Sequence, residues 1–294
     1  MPNILVTGSK GQLGSELREL VNHSTLNIKH STFHFTNRST LDITNEKAIE
    51  RYCTENNITV IINCAAYTAV DKAEEDKVNA NTINHLAVKY LAKISKEKDI
   101  KLIHISTDYV FDGTNYKPYA EDDEVWPVSV YGKTKLLGEE AIKAINPKGT
   151  IIIRTSWVYS SFGANFVKTM LRLGKERDEL DVIFDQVGTP TYARDLASAI
   201  LTILNTKLST THNQQSTEIY NFSNEGVTSW YDFAKAIFEL SGTDCKVNPI
   251  ETKEYPSLAK RPHYSLLNKS KIKNTYNLSI PYWKDSLKEC LTVV

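Results

Sequence analysis

An apolar run, Ile4-Leu5-Val6-Thr7, passes straight into Gly8-Ser9-Lys10-Gly11-Gln12-Leu13-Gly14. No other stretch narrows the choice of fold so far. The run has the length and make-up of a buried strand, and the residues from about 12 to 21 carry helical spacing. A strand that meets a helix across three glycines reads as the first turn of a β-α-β unit. Such glycines allow a tight turn, a close approach of backbone to a ligand, and close packing of helix on strand. The helix N-terminus then offers free N–H groups and the positive end of its dipole, which suits a pyrophosphate. The spacing is Gly-x-x-Gly-x-x-Gly rather than Gly-x-Gly-x-x-Gly. Gly8, Gly11, Gln12 and Leu13 are its candidate cofactor residues.

The alternation continues. Strands are predicted at 60–63, 101–106 and 151–155, with helices near 78–95 and 129–145 between them. Apolar strands separated by helices give an α/β fold with a doubly wound parallel sheet, whose ligands sit beyond the carboxyl ends of the strands. Past Trp157 the pattern loosens. The stretches 181–191 and 252–267 are rich in Pro, Tyr and charge, with helices expected near 192–204 and 229–240. This predicts a smaller C-terminal lobe. The expected division is a cofactor domain over 1–160, with 191–222 returning to it, and a substrate-binding lobe over 161–190 and 223–294.

Thirty-five basic residues balance thirty-five acidic ones in the 294-residue chain. No global field therefore points to nucleic acid or an anionic membrane, and an anionic ligand must be held by local groups. No apolar run approaches a membrane span, and the N-terminus lacks a signal-peptide layout. The four cysteines (Cys53, Cys64, Cys245, Cys290) have no paired spacing, which argues against a disulfide frame or a zinc site. The expectation is a cytoplasmic protein with no metal, no nucleic-acid partner and no membrane partner. The acidic run Glu121 to Glu124 reads as a solvated loop, and His104, in an apolar strand, as a core histidine.

The end of the second strand, Phe33-His34-Phe35-Thr36-Asn37-Arg38, carries no acid to grip a ribose 2′-hydroxyl, while Arg38 is available for a 2′-phosphate. That favours NADP(H), with use of NAD(H) as well left open. Leu41-Asp42-Ile43-Thr44 forms a candidate adenine cap, with Asp42 near the exocyclic amine; a helix-capping role for Asp42 is the alternative. After the strand at 60–63, the small residues of Cys64-Ala65-Ala66-Tyr67-Thr68 let a ribose and diphosphate lie against the backbone. Ser106-Thr107-Asp108 ends the next strand; the Thr107 hydroxyl can bond a reacting oxygen and the tyrosine, and a strand-end threonine capping its own backbone is the alternative. Tyr131 and Lys135, four apart, share one helix face, and a neighbouring ammonium is expected to pull the phenol's pKa down toward neutrality.

Together these motifs resemble the extended short-chain dehydrogenase/reductase superfamily, with its Rossmann-type sheet. Finer residues resemble the dTDP-4-dehydrorhamnose reductase family: Ala65 to Glu74, Ser106 to Asp112, Arg154 to Tyr159, Asp185 to Thr191, Ser229-Trp230 and Arg261-Pro262. The similarity runs from residue 3 to about 289. It implies an NAD(P)H-dependent oxidoreductase in which Thr107 binds a C4 carbonyl oxygen, Tyr131 protonates it, and Lys135 holds the nicotinamide ribose. It further implies a dTDP-linked 4-keto-6-deoxysugar as substrate, met by Thr68, Thr107, Asp108, Trp157, Asn165, Gln186 and Arg261, with Gly188 and Pro190 nearby, and a monomer or homodimer.

Two positions depart from the family pattern. Some members dimerise through magnesium held by glutamates, one matching Glu16; the second falls near Thr191, where this chain has no carboxylate, so such a dimer is not expected. Arg261-Pro262-His263-Tyr264-Ser265 stands where the family often has Asn at the Tyr264 position. Competing readings are a reductase or epimerase of another nucleotide-linked deoxysugar, which net consumption of reduced cofactor separates, and a non-catalytic regulatory subunit, which has no need of Thr107, Tyr131 and Lys135 together.

Overall fold

The computed structural model describes residues 2–23, 31–206 and 216–294. The first half runs β1 (Asn3–Thr7), α1 (Gln12–His23), β2 (Thr32–Phe35), α2 (Glu46–Glu55), β3 (Val60–Asn63), α3 (Val70–Glu75), α4 (Lys77–Asn81), α5 (Ala87–Glu97), β4 (Lys101–Thr107), α6 (Val130–Ile145) and β5 (Ile151–Thr155). Then follow β6 (Val158–Tyr159), α7 (Phe166–Glu176), β7 (Glu179–Ile183), β8 (Val187–Gly188), β9 (Thr191–Tyr192), α8 (Ala193–Asn205) and β10 (Glu218–Phe222). The chain closes with β11 (Thr228–Ser229), α9 (Trp230–Ser241), β12 (Lys246–Ile250), α10 (Ser270–Tyr276) and α11 (Trp283–Leu291).

Six strands form a parallel sheet in the order β10-β5-β4-β3-β1-β2. The fold is thus α/β, with a doubly wound Rossmann-type sheet and a smaller C-terminal lobe. Period-two alternation sends Ile4, Val6, Ile62 and Ile153 to one face, against Leu17 of α1 and Leu196 and Ile200 of α8. Leu5, Ile61, Leu102 and Ile152 go to the other face, against Ile49 of α2, Leu91 of α5 and Ile142 of α6. Each such side chain contributes about 1.5–3 kcal/mol on leaving water, so both faces must be covered. From β1 the chain moves out to β2 and then returns to the far side of β1 as β3, leaving a crevice at the carboxyl ends of β1 and β3.

The expected helix near 78–95 is found as α4 and α5 joined by a π-helical turn, Thr82–Leu86. The stretch 181–191 is not all loop. Its start belongs to β7, which pairs in parallel with β12, burying Leu180 and Val182 and exposing Glu179 and Asp181. That alternation was hidden because the run is short and charged. Val167, Phe233, Ile237, Trp283 and Leu287 complete the lobe's core. α8 packs on α1, and β10 pairs with β5 as the sheet's edge strand; residues 207–215 lie outside the described residues. Among the described residues, no helix is long and apolar enough to cross a membrane.

Candidate active site

The glycine turn is built tightly. Gly8 has φ of +65°, and a Cβ there would lie 2.7 Å from the Ala65 nitrogen; one on Gly14 would lie 2.6 Å from the Gly8 carbonyl oxygen. Ser9 N–H donates to Thr36 O at 2.9 Å, tying the turn to the end of β2. Beyond it lies a cavity of about 530 Å³, lined by Gly8, Lys10, Gly11, Asn37, Arg38, Ser39, Leu41, Asp42, Ile43, Thr44, Cys64, Ala65, Ala66 and Ile83. These residues fit a dinucleotide: bare backbone at the N-terminus of α1, small residues at the end of β3, and cationic Lys10 and Arg38 for phosphates.

Not every candidate cofactor residue meets this cavity. Gln12 spans instead to the lobe, its Nε2 donating to Val158 O at 3.2 Å and its Oε1 accepting from Asn165 Nδ2 at 3.0 Å. Asn165 also caps α7, accepting from Lys168 N–H at 3.1 Å. The pair thus ties α1 to α7. Leu13 packs into the core, leaving its backbone N–H as what it can offer a ligand. Asp42 accepts from the Thr44 N–H at 2.9 Å and hydroxyl at 2.8 Å, bonds that hold its carboxyl below the usual range. Tyr67 donates its N–H to Asn84 Oδ1 at 2.8 Å, and Asn84 Nδ2 returns bonds to Tyr67 O at 3.1 Å and Thr134 Oγ1 at 3.2 Å. Asn84, in the π-helical turn, therefore clamps the loop after β3 onto α6. Nothing in its sequence context marks it. Thr68 is exposed on that loop.

Thr107 ends β4, its hydroxyl donating to Asp108 Oδ1 at 3.0 Å and accepting from Tyr109 N–H at 3.2 Å. Ser129 caps α6 by accepting from Gly132 N–H at 3.1 Å, which fixes the start of the helix that carries Tyr131 and Lys135. Gly132 permits that helix to lie against the Tyr109 carbonyl. Tyr131 meets the Tyr109 ring edge-on at 5.4 Å, and Lys135 Nζ donates to Ile105 O at 2.6 Å. Burial pushes the Tyr131 phenol up to about 12, against a weaker downward pull from the Thr107 hydroxyl. Burial likewise pushes Lys135 down to about 8. The expected depression of the phenol by its lysine is not seen: burial is the largest influence on each group, and it favours the uncharged form of both.

On the lobe side a second cavity, about 740 Å³, is lined by Phe166, Met170, Arg177, Gln186, Trp230, Tyr255 and Arg261 among others. Trp157 stacks on Trp230 with ring centroids 3.7 Å apart, and its φ of 47° is unusual for a bulky side chain. Gln186 Nε2 donates to Thr252 Oγ1 at 3.1 Å. Arg261 grips Asp71 of α3 with Nη2 at 2.5 Å and Nη1 at 3.1 Å. Arg177 and Tyr255 went unnoticed in the sequence because neither stands in a motif. Glu16 accepts from Ser160 Oγ at 2.6 Å and lies 3.6 Å from Arg194.

The family model for the RmlD substrate binding domain matches residues 2–294. A dTDP-4-dehydrorhamnose reductase of Aggregatibacter actinomycetemcomitans is 41% identical, with 98% of each chain covered. The crystal structure of a dTDP-4-dehydrorhamnose reductase from Clostridium acetobutylicum superposes with a TM-score of 0.90 at 43% identity, covering 99% of each chain. That of the Bacillus anthracis reductase in complex with NADP gives 0.91 at 37% identity, covering 100% of each.

Proposed function

The chain belongs to the RmlD substrate binding domain family, and from that membership we propose that it reduces the C4 keto group of dTDP-4-dehydro-6-deoxy-L-mannose with NADPH. The product is dTDP-L-rhamnose, a precursor of surface polysaccharide. Residues 1–160 with 191–222 serve as the cofactor half, and 161–190 with 223–294 as the substrate half, in a cytoplasmic monomer or homodimer. Gly8 and Gly11, with the backbone of Gln12 and Leu13, hold the diphosphate, Ala65, Ala66 and Tyr67 the ribose side, and Asp42 and Ile43 the adenine. Arg38 faces the 2′-phosphate, and Lys135 the nicotinamide ribose. When bound, the reduced nicotinamide supplies hydride to C4.

The chain's own residues do the rest. Thr107 positions the carbonyl oxygen, and Tyr131 hands it a proton as negative charge develops there. Asp108 and Thr68 meet the sugar, Trp157 offers it a flat wall, and Asn165, Gln186 and Arg261 serve the nucleotide end. Fixing two large ligands face to face lowers the barrier further. The observation that carries this reading is the buried Tyr131 phenol beside Thr107: burial favours its protonated form, the form in which it can hand over a proton.

Purified protein given the ketosugar and NADPH should consume reduced nicotinamide and release dTDP-L-rhamnose. Tyr131→Phe should lower kcat by roughly 10²–10⁴ with an unchanged melting temperature. Negligible turnover that the substitution does not lower further would overturn the assignment.

A further inference from the structure

Lys135 is joined to the first strand of the sheet by a buried line of side chains that the reaction above does not use. Thr7, Asn63 and His104 are register partners across β1, β3 and β4. Thr7 Oγ1 donates to Asn63 Oδ1 at 2.6 Å, Asn63 Nδ2 lies 3.0 Å from His104 Nδ1, and His104 Nε2 lies 3.5 Å from Lys135 Nζ. All four side chains are buried, His104 completely.

Donor and acceptor counting fixes the protons along this line. Asn63 Oδ1 also accepts from Ala65 N–H at 3.3 Å, and a backbone amide can only donate. A separation of 2.6 Å to Thr7 suits O–H···O and is short for N–H···O. Both contacts turn the amide oxygen of Asn63 toward Thr7 and Ala65 and its NH₂ toward His104. Nδ1 of His104 must then accept. Burial, aided by the nearby Lys135 charge, holds the imidazole neutral, so its single proton sits on Nε2, directed at Lys135.

We propose that Thr7, Asn63 and His104 form a positioning line for Lys135: by presenting an N–H to Nζ, His104 favours the neutral amine over the ammonium and sets the pH above which the rate falls. The inference rests on the reading of Lys135 as part of the catalytic site. Burial works in the same direction. Glu139, one turn along α6, favours the ammonium, but its carboxylate is held by Arg154 Nη2 at 2.7 Å and by Ser106 Oγ at 2.5 Å. Tyr131 and Cys64 are kept uncharged by burial. Asp108 lies at the end of β4, beside Tyr131.

The proton assignment is read directly from ¹⁵N spectra of histidine-labelled, ligand-free protein, with His104 identified by the signals missing in His104→Gln. The expected spectrum has Nδ1 unprotonated and Nε2 protonated, unchanged from about pH 6 to about pH 9. A proton on Nδ1, or an imidazolium in that range, overturns the proposal. Asn63→Asp replaces the NH₂ with an acceptor, so the tautomer should reverse and Nε2 should present a lone pair to Lys135. The alkaline limb of the kcat profile should then move up by about one pH unit or more. A lowered melting temperature and scaled-down kcat with the limb unmoved would show a merely structural line. The spectra need no substrate, so they stand even where turnover of the proposed ketosugar fails.

Discussion

Asp108 lies buried beside Thr107, one carboxyl oxygen bonded to that hydroxyl and Oδ2 without a hydrogen-bond partner. Burial pushes its pKa up from 3.8 to about 7, the Ser265 and Thr107 hydroxyls favouring the charged form more weakly. An acid whose pKa is raised by folding stabilises the protein below its unfolded value, and that contribution is lost as pH rises through the folded value. Wild type should therefore lose stability relative to Asp108→Asn between about pH 4 and about pH 7, a trend that paired thermal melts across the range will test. Parallel curves would mean the carboxyl is already ionised at the low end. Tyr131 and Lys135 teach the same lesson about single residues. Their spacing marks them as partners, but the direction of each pKa follows from depth, which four letters of sequence cannot express.

Among elements, the turn from β1 into α1 carries the sharpest expectation. Its glycines are set by neighbours rather than by the turn alone: a methyl on Gly14 would drive into the Gly8 carbonyl and Ser9 Cα. Gly14→Ala should cost about 1–3 kcal/mol of stability, as overpacking does, and weaken NADPH binding; titration by fluorescence and chemical unfolding will check both. At the end of β2, Arg38→Ala should weaken NADPH by roughly 10–100-fold while leaving NADH nearly unchanged, since only the former carries a 2′-phosphate. Equal losses for both cofactors, measured as dissociation constants, would remove Arg38 from that role. This turn and the β4–α6 crossover were legible because strand, small residues and helix follow one another locally. Asn84 and Asp71 were not, since their partners stand 17 and 190 residues away. The β7–β12 pair stayed hidden for the same reason, each strand being too short and charged to announce itself. Gln12 and Asn165 stand in recognisable patterns, yet they bond to each other, and only their meeting across 153 residues reveals it.

Across the whole molecule, Asp71 of α3 and Arg261, which lines the lobe-side cavity, form a clasp over a sequence separation of 190 residues. Ala259 N–H adds a bond to Asp71 at 3.1 Å. Burial pushes the Asp71 carboxyl up, but the Arg261 and Ala259 bonds outweigh it and leave the pKa lowered. A carboxyl depressed by folding gives stability above its unfolded pKa that is lost as pH falls through the folded one. The clasp should hold at neutrality and open in acid. Asp71→Asn should speed amide exchange over 255–264 at neutral pH and raise KM for the nucleotide sugar with less effect on kcat. Unaltered exchange in that segment would show that its other contacts suffice.

The path of the chain has a consequence for how such an enzyme changes its substrate. The peptide leaves the sheet after β5, builds α7 and β7, returns for α8 and β10, then departs again for α9, β12 and α11. β10, the sheet's edge strand, is encoded between two lobe segments, so the lobe is not one contiguous stretch of the gene. A change of substrate by exchange of the lobe therefore takes two separate segments, or carries a strand of the sheet along with it.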